Sequence, residues 1–289
     1  MAVGRAMGSR PAFVGQVPLG VPLRSSALAS KLIAVVSLLA TGADQIVPVP
    51  SDANSFIAYA WGASGGNVNQ GGQRGGPGAF IRAAYAGLLA SDALLVKVGK
   101  GGQSYTGSAG DWGAGGGGRS EIQINGIPWL IAAGGGGACY NAPGACGGGL
   151  SGGTAGLATG GTQTGGGTTG GGFQQGGSGT GGTAGGWPNG GTGNYSGQGG
   201  AGGGGDGYYG GGWRGSGGYS GGGGGSSLIP MTGGLVLTET NGAVQAPGAT
   251  HPLYQAGIAV GSLTGSTGGD GLVVIEFYKA PPSNQPQIA

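Results

Sequence analysis

From Gly134 to Gly225 glycine dominates the chain, as in "AGGGGDGYYGGGWRGSGGYSGGGGGSS" (Ala201 to Ser227). Nothing else constrains the fold as strongly. Glycine gives up more backbone freedom on ordering than any other residue, and composition of this kind without a strict period usually marks low complexity. Collagen is excluded, because glycine is not kept at every third position. Yet Tyr208, Tyr209, Trp213 and Tyr219 interrupt the run, and disordered segments are poor in aromatics. Glycine accounts for 83 of 289 residues and charged residues for 7%, which suits backbone packed on backbone better than a solvated coil. In a polyproline II conformation, three residues per turn and no internal hydrogen bonds, glycine segments can lie side by side. Their N–H and C=O groups then bond between segments, as buried backbone requires.

The flanks read as β-structure. "KLIAVVSLLATGA" (Lys31 to Ala43) is apolar and β-branched; it has the look of a signal core but is too short to span a bilayer, and it is read as a strand. "SFIAYAWGA" alternates Phe56, Ala58 and Ala60 with Ile57, Tyr59 and Trp61. "AFIRAAYAGLLASDALLVKVGKGG" holds two strand-like runs, and "SEIQINGIPWLIAAGG" centres a hairpin on Asn125-Gly126. Strands resume in "GGLVLTETNG", "LYQAGIAVGSL" and "GDGLVVIEFY". The piece after the glycine block is too short to fold alone, so strands on either side are expected to pair. The predicted fold is all-β, a sandwich-like scaffold over 31–280 with a glycine-helix bundle at about 134–227 inserted between strands and little or no α-helix. Residues 1–30 form an extended, proline-punctuated arm without acidic residues. Arg5, Arg10, Phe13 and Arg24 are its candidate docking residues. Residues 281–289 are a Pro-rich tail.

Signals for chemistry are weak. "VGKGGQS" places Gly101 where a phosphate loop needs Ser or Thr after Lys100. His251, the one histidine, lies in "GATHPLY", without a nucleophile-elbow pattern, and reads as a solvated loop residue. Asp111 and Glu121 have no mechanistic spacing. Cys139 and Cys146 in "CYNAPGAC" can either form a disulfide across a turn or remain free thiols, and zinc lacks a ligand set. No enzyme activity, cofactor or metal is expected. The net charge of +2 selects neither nucleic acid nor anionic lipid. Tyr195, Tyr208, Tyr209, Trp213 and Tyr219, set among Gly, Ser and Asn, are the candidate ligand contacts, with the chemistry of a paratope; the alternative is that these rings plug the edges of the bundle.

"TGADQIVPVPSDANSFIAYAWGASGG" resembles the opening of the glycine-rich domain found in phage tail proteins, bacterial surface proteins and receptor ectodomains of the anaplastic lymphoma kinase type. Trp61, Gly62, Ala63 and Gly65 match its aromatic-Gly-Ala-Gly step, with Ser64 intervening. "GPGAFIRAAYAGLLASDALLVKVGKGGQ", "WLIAAGGGGA" and "GGDGLVVIEFY" are similar to its later landmarks. The resemblance spans roughly residues 35–278 and implies a β-sandwich-like scaffold carrying polyglycine II helices, displayed outside a cell or virion. The receptor branch does not fit a chain without a kinase domain or membrane span. The expectation is a non-enzymatic structural and binding component on the surface of a phage-like virion: a tail or fibre adhesin, or a capsid decoration protein. It would be oligomeric, attached to other virion proteins through its arm and in contact with a host surface glycan or protein. The alternative is a fibre-forming extracellular matrix or surface protein. An ice-binding protein, suggested by Thr154, Thr159, Thr162, Thr164, Thr168 and Thr169, fits less well, because their spacing is irregular.

Overall fold

The computed structural model describes residues 30–69, 72–105, 112–167, 194–195, 200–213, 219–231, 234–261 and 267–279. All secondary structure elements among them are strands, and the fold is all-β. They are β1 (Lys31–Leu39), β2 (Gln45–Val47), β3 (Ser55–Trp61), β4 (Phe80–Ala86), β5 (Leu94–Lys97), β6 (Trp112–Gly113), β7 (Ser120–Ile124), β8 (Ile127–Ala132), β9 (Asn194–Tyr195), β10 (Leu235–Leu237) and β11 (Leu272–Lys279). One sheet has the order β1-β11-β3-β4-β10, a second β2-β5-β7-β8, and β6 pairs with β9. All pairings are antiparallel. Of the strands after the glycine block, β10 pairs with β4 and β11 lies between β1 and β3, so the distant flanks do pair.

Alternation along the strands builds the sandwich. Phe56, Ala58 and Ala60 on β3 stand opposite Phe277, Ile275 and Val273 on β11. With Ile81 and Ala83 of β4 they pack against Val96, Ile122 and Leu130 of the second sheet in one buried cluster. Phe56 meets Trp129 edge-on, with centroids 5.0 Å apart. At the end of the sandwich the β7–β8 hairpin turns on Asn125 (φ 53°) and Gly126 (φ 80°), the paired left-handed conformation for which Asn-Gly is selected.

The opposite face of the five-stranded sheet is also apolar, with Tyr59, Trp61, Phe80, Leu272 and Val274 in a second cluster. Residues 240–261 cover it. "LYQAGIAVGSL", expected as a strand, is instead a succession of turns over its described part. Gly257 and Ala259 have positive φ, and the resulting turns press Leu253, Tyr254, Ile258 and Val260 onto the sheet. Trp61 Nε1–H donates to Pro247 O at 2.9 Å, so burial of the indole leaves its donor satisfied.

Beyond the sheets the chain forms a bundle of extended glycine segments, centred on 133–138. The N–H groups of Gly134 and Gly137 donate to Asp206 and Gly203, those of Gly135 and Ala138 to Ala63 and Gly66, and that of Gly136 to Ala145. The carbonyls of Gly134 and Gly137 accept from Gly225 and Gly222, those of Gly135 and Ala138 from Gly117 and Ala114, and those of Ala133 and Gly136 from Ala79 and Gly76. Each direction repeats every three residues, the period of the polyproline II helix. Six neighbouring segments thus surround the central one. The expected bundle of 134–227 is enlarged: the passes through Ala63–Gly66, Gly76–Ala79 and Ala114–Gly117 come from earlier in the chain. They are recruited because each continues directly out of, or into, a sandwich strand.

Candidate functional site

The register of the central segment defines two ends of the bundle. At the base, Ala132 leaves β8. At the tip, Cys139 and Ala142 close a turn by exchanging N–H···O bonds of 2.9 and 3.4 Å. Two other passes turn at the same end, where Val68 pairs with Gln73 and Ala155 with Ala158, and Ala201 lies beside Ser220 there. Tyr105 arrives there too, its N–H bonded to Asn67 O at 2.9 Å.

These turns assemble an aromatic patch. Val68, Ala114 and Ala138 form a buried floor against which Tyr105 and Tyr140 pack. The Tyr140 and Tyr219 rings lie 6.1 Å apart, and Tyr219 is exposed. Leu157 projects from the Ala155–Ala158 turn, also exposed, while Ser220 Oγ anchors that turn by donating to Ala155 O at 2.5 Å. The amide of Asn67 ties adjacent passes together, with Nδ2 on Ser104 Oγ at 3.2 Å and Oδ1 accepting from Gly75 N at 3.0 Å. The backbone of Tyr195 pairs with Trp112, next to Gly113, which bridges to Cys139. The ring patch of Tyr105, Tyr140 and Tyr219 holds no carboxylate, and Arg74, next to the Val68–Gln73 turn, has its guanidinium on Gly261 O at 2.9 Å. The tip presents rings, hydroxyls and amides on rigid backbone, a surface suited to a neutral polar ligand such as a sugar or a protein patch.

The five aromatics singled out from sequence do not form one site. Tyr219 belongs to the tip, the Tyr195 backbone lies beside it, and Trp213 is on the pass rising toward it. Tyr208 and Tyr209 lie at the base, where Tyr208 N–H donates to Ser226 O at 2.7 Å and Tyr209 O accepts from Ser226 N at 2.8 Å. Their rings are half-buried against one another, centroids 5.3 Å apart. The division follows from chain direction: 200–207 descends from tip to base, so the tyrosines that follow it turn at the sheet end. Tyr105 and Tyr140 were missed. The turn-forming "CYNAP" was a usable signal for Tyr140; Tyr105 had none beyond its place at the end of a glycine pass.

The remaining candidates also resolve. Cys139 and Cys146 are free thiols. The turn pairs Cys139 with Ala142, and the chain then departs as a further glycine pass, with Cys146 N bonded to Asn241 Oδ1 at 3.1 Å. Burial raises both thiol pKa values. His251 is packed instead of solvated, its ring 4.7 Å from Tyr59 and its Nδ1 accepting from Leu253 N at 3.2 Å. Lys100 pairs with Asp270 at 3.2 Å. Glu121 is buried on Arg119, Nε–Oε2 2.9 Å, and Arg119 Nη1 reaches Asp206 Oδ2 at 2.7 Å, a clasp between β7 and the bundle. The Thr162 hydroxyl donates to Gly165 O at 3.1 Å, folded into a local turn. Arg5, Arg10, Phe13, Arg24, Asp111, Thr168 and Thr169 lie outside the described residues, as does the tail. No helix among the described residues is long and apolar enough to cross a membrane, and no group of three or more His, Cys, Asp or Glu there could hold a metal. No protein-family model matches the chain, and no curated protein aligns with it significantly.

Proposed function

We propose that this protein is a non-enzymatic display and binding component of a phage-like virion, attached at its sandwich end and contacting the host surface with the aromatic tip of its glycine bundle. One observation carries the reading. The described chain enters at Ser30 and leaves at Lys279, side by side where Lys31 pairs with Lys279, while Tyr105, Tyr140 and Tyr219 gather at the far end of the bundle. Attachment at one end and recognition at the other is the geometry an adhesin needs. A rigid glycine lattice holds tip loops in place at little entropic cost on binding. The arm of residues 1–30 supplies contacts to other virion proteins, and the assembled protein is oligomeric on the particle surface.

The test is adsorption of the cognate particle to host cells with excess purified full-length protein as competitor. Wild-type protein is expected to reduce adsorption, and Tyr140→Ala/Tyr219→Ala protein to compete at least tenfold less well while retaining its melting temperature. Unchanged adsorption in the presence of folded wild-type protein would turn the reading to a decorating role. Fibres formed by the purified protein alone would favour the matrix alternative.

A further inference from the structure

The attachment end carries an apolar trough. On the outer face of the five-stranded sheet, a cleft of about 450 Å³ is walled by Ser30, Ile57, Ala84 and Tyr278. Around the edge of β4, a second cleft of about 360 Å³ is bounded by Trp129, Ile229 and Met231. Both include Tyr85 and Ala86, so the two clefts adjoin at the edge of β4, one reaching toward β1 and the other toward β8. No charged side chain lines the trough, and Met231 beside it is fully exposed. An uncharged apolar cleft suits an apolar extended segment as its occupant.

We propose that the trough is the seat of this chain's own residues 11–23, "PAFVGQVPLGVPL". Pro11, Pro18 and Pro22 pre-set an extended course, and apolar residues alternate with them. Proline-punctuated peptides dock into grooves walled by aromatic rings, because their extended form costs little entropy to fix; Tyr85, Trp129 and Tyr278 supply such rings. The lengths agree. Three strand spacings from β1 to β4 plus the gap between sheets come to ~25 Å, and thirteen residues at the polyproline rise reach ~40 Å. Ser30, the residue before β1, is itself part of the wall, which gives residues 11–23 of the same chain a high effective concentration over the arm of a second copy. The six residues 24–29 span ~19 Å, enough for the arm to turn back. Arg5 and Arg10 precede the seated stretch and are left to meet a neighbouring subunit. This inference does not depend on the virion reading, since it concerns how the isolated chain covers its own end.

Photo-crosslinking of the full-length protein tests it. Benzoylphenylalanine is placed at position 13, or separately at position 19, and irradiated. The expected product has monomer mass; by mass spectrometry the crosslink from position 13 maps to Trp129 or to residues 228–231, Met231 being a favourable target, and that from position 19 to the first cleft, at Ile57, Ala84 or Tyr278. Ala86→Glu, which sets a charge on an exposed part of the trough, is expected to lower the yield at least fivefold with the melting temperature unchanged. Crosslinks mapping elsewhere, a yield indifferent to Ala86→Glu, or no crosslink would each overturn the proposal. A dimer-mass product joined to the same trough would also overturn it, by making a second copy's arm the occupant.

Discussion

Asp206 is the residue on which sandwich and bundle meet, and its titration follows from where it sits. Its side chain is wholly buried, and that burial pushes its carboxyl up to about 6, against the pull of Arg119 and of the Gly207 N–H. An acid whose folded pKa lies above its unfolded value keeps its proton longer in the folded chain. Between about pH 4 and pH 6 the folded state therefore binds more protons than the unfolded one, and stability falls as pH rises through that window. The rise from 3.8 to about 6 corresponds to on the order of 3 kcal/mol. Asp206→Asn is expected to flatten this component, read as urea midpoints at pH 4, 5, 6 and 7; a variant that keeps the wild-type slope would contradict the assignment. Gly136 makes the complementary point about sterics. A Cβ there would collide with the carbonyl oxygen of Gly222, whereas one on Gly165 would meet nothing within 4 Å. Gly136→Ala should cost more than ~3 kcal/mol, since backbone on both sides must move apart. Gly165→Ala should be neutral or gain up to ~1 kcal/mol through the unfolded state. Equal effects in chemical denaturation would argue against the packed lattice.

At the scale of elements, strands and glycine passes are continuous pieces of chain. β3 runs into Gly62 and Ala63, β8 into Ala133 and Gly134, and β7 and β11 are entered from Gly118 and Gly271. The hydrogen bonds of the passes fall between elements, not within them, so no pass is stable without its neighbours. The Arg119 clasp adds a second link: removing its guanidinium would strand two buried carboxylates, a change that costs about 3–5 kcal/mol for buried pairs. Sandwich and bundle should therefore unfold together. Far-UV circular dichroism and tryptophan fluorescence are expected to report one coincident thermal transition, and Gly136→Ala to shift both signals equally. Two separated transitions would show that the bundle is an independent unit.

The whole molecule has a direction. Its apolar trough and both described chain ends lie at the sandwich end, and its uncharged aromatic patch lies at the tip. The polarity arises because successive passes rise from the sheets and return to them, so alternate turns accumulate at one end. Strand-to-strand turns such as Asn125-Gly126 accumulate at the other. Attachment and recognition can then be altered separately. Tip variants should leave the arm crosslink unchanged, and Ala86→Glu should leave competition for host cells unchanged.

Local sequence determined most of the strands. Alternation at Phe56, Ala58 and Ala60, the β-branched run of β1 and the Asn-Gly turn each specify conformation through nearby sterics and through which face is buried. Glycine content also determined that any ordered packing would be backbone against backbone. Only the tertiary structure decided where each pass lies. Glycine segments carry no side-chain pattern to mark a start, an end or a face, and every one offers its neighbours the same N–H and C=O groups. Their places are chosen jointly, by which arrangement satisfies all the bonds. That is why Tyr208 and Tyr209 could not be assigned to the base, nor Tyr105 to the tip, from sequence. It is also why Arg119 and Asp206, 87 residues apart, became partners without a local sign, and why the turns of 253–261 yielded to the sheet face they cover.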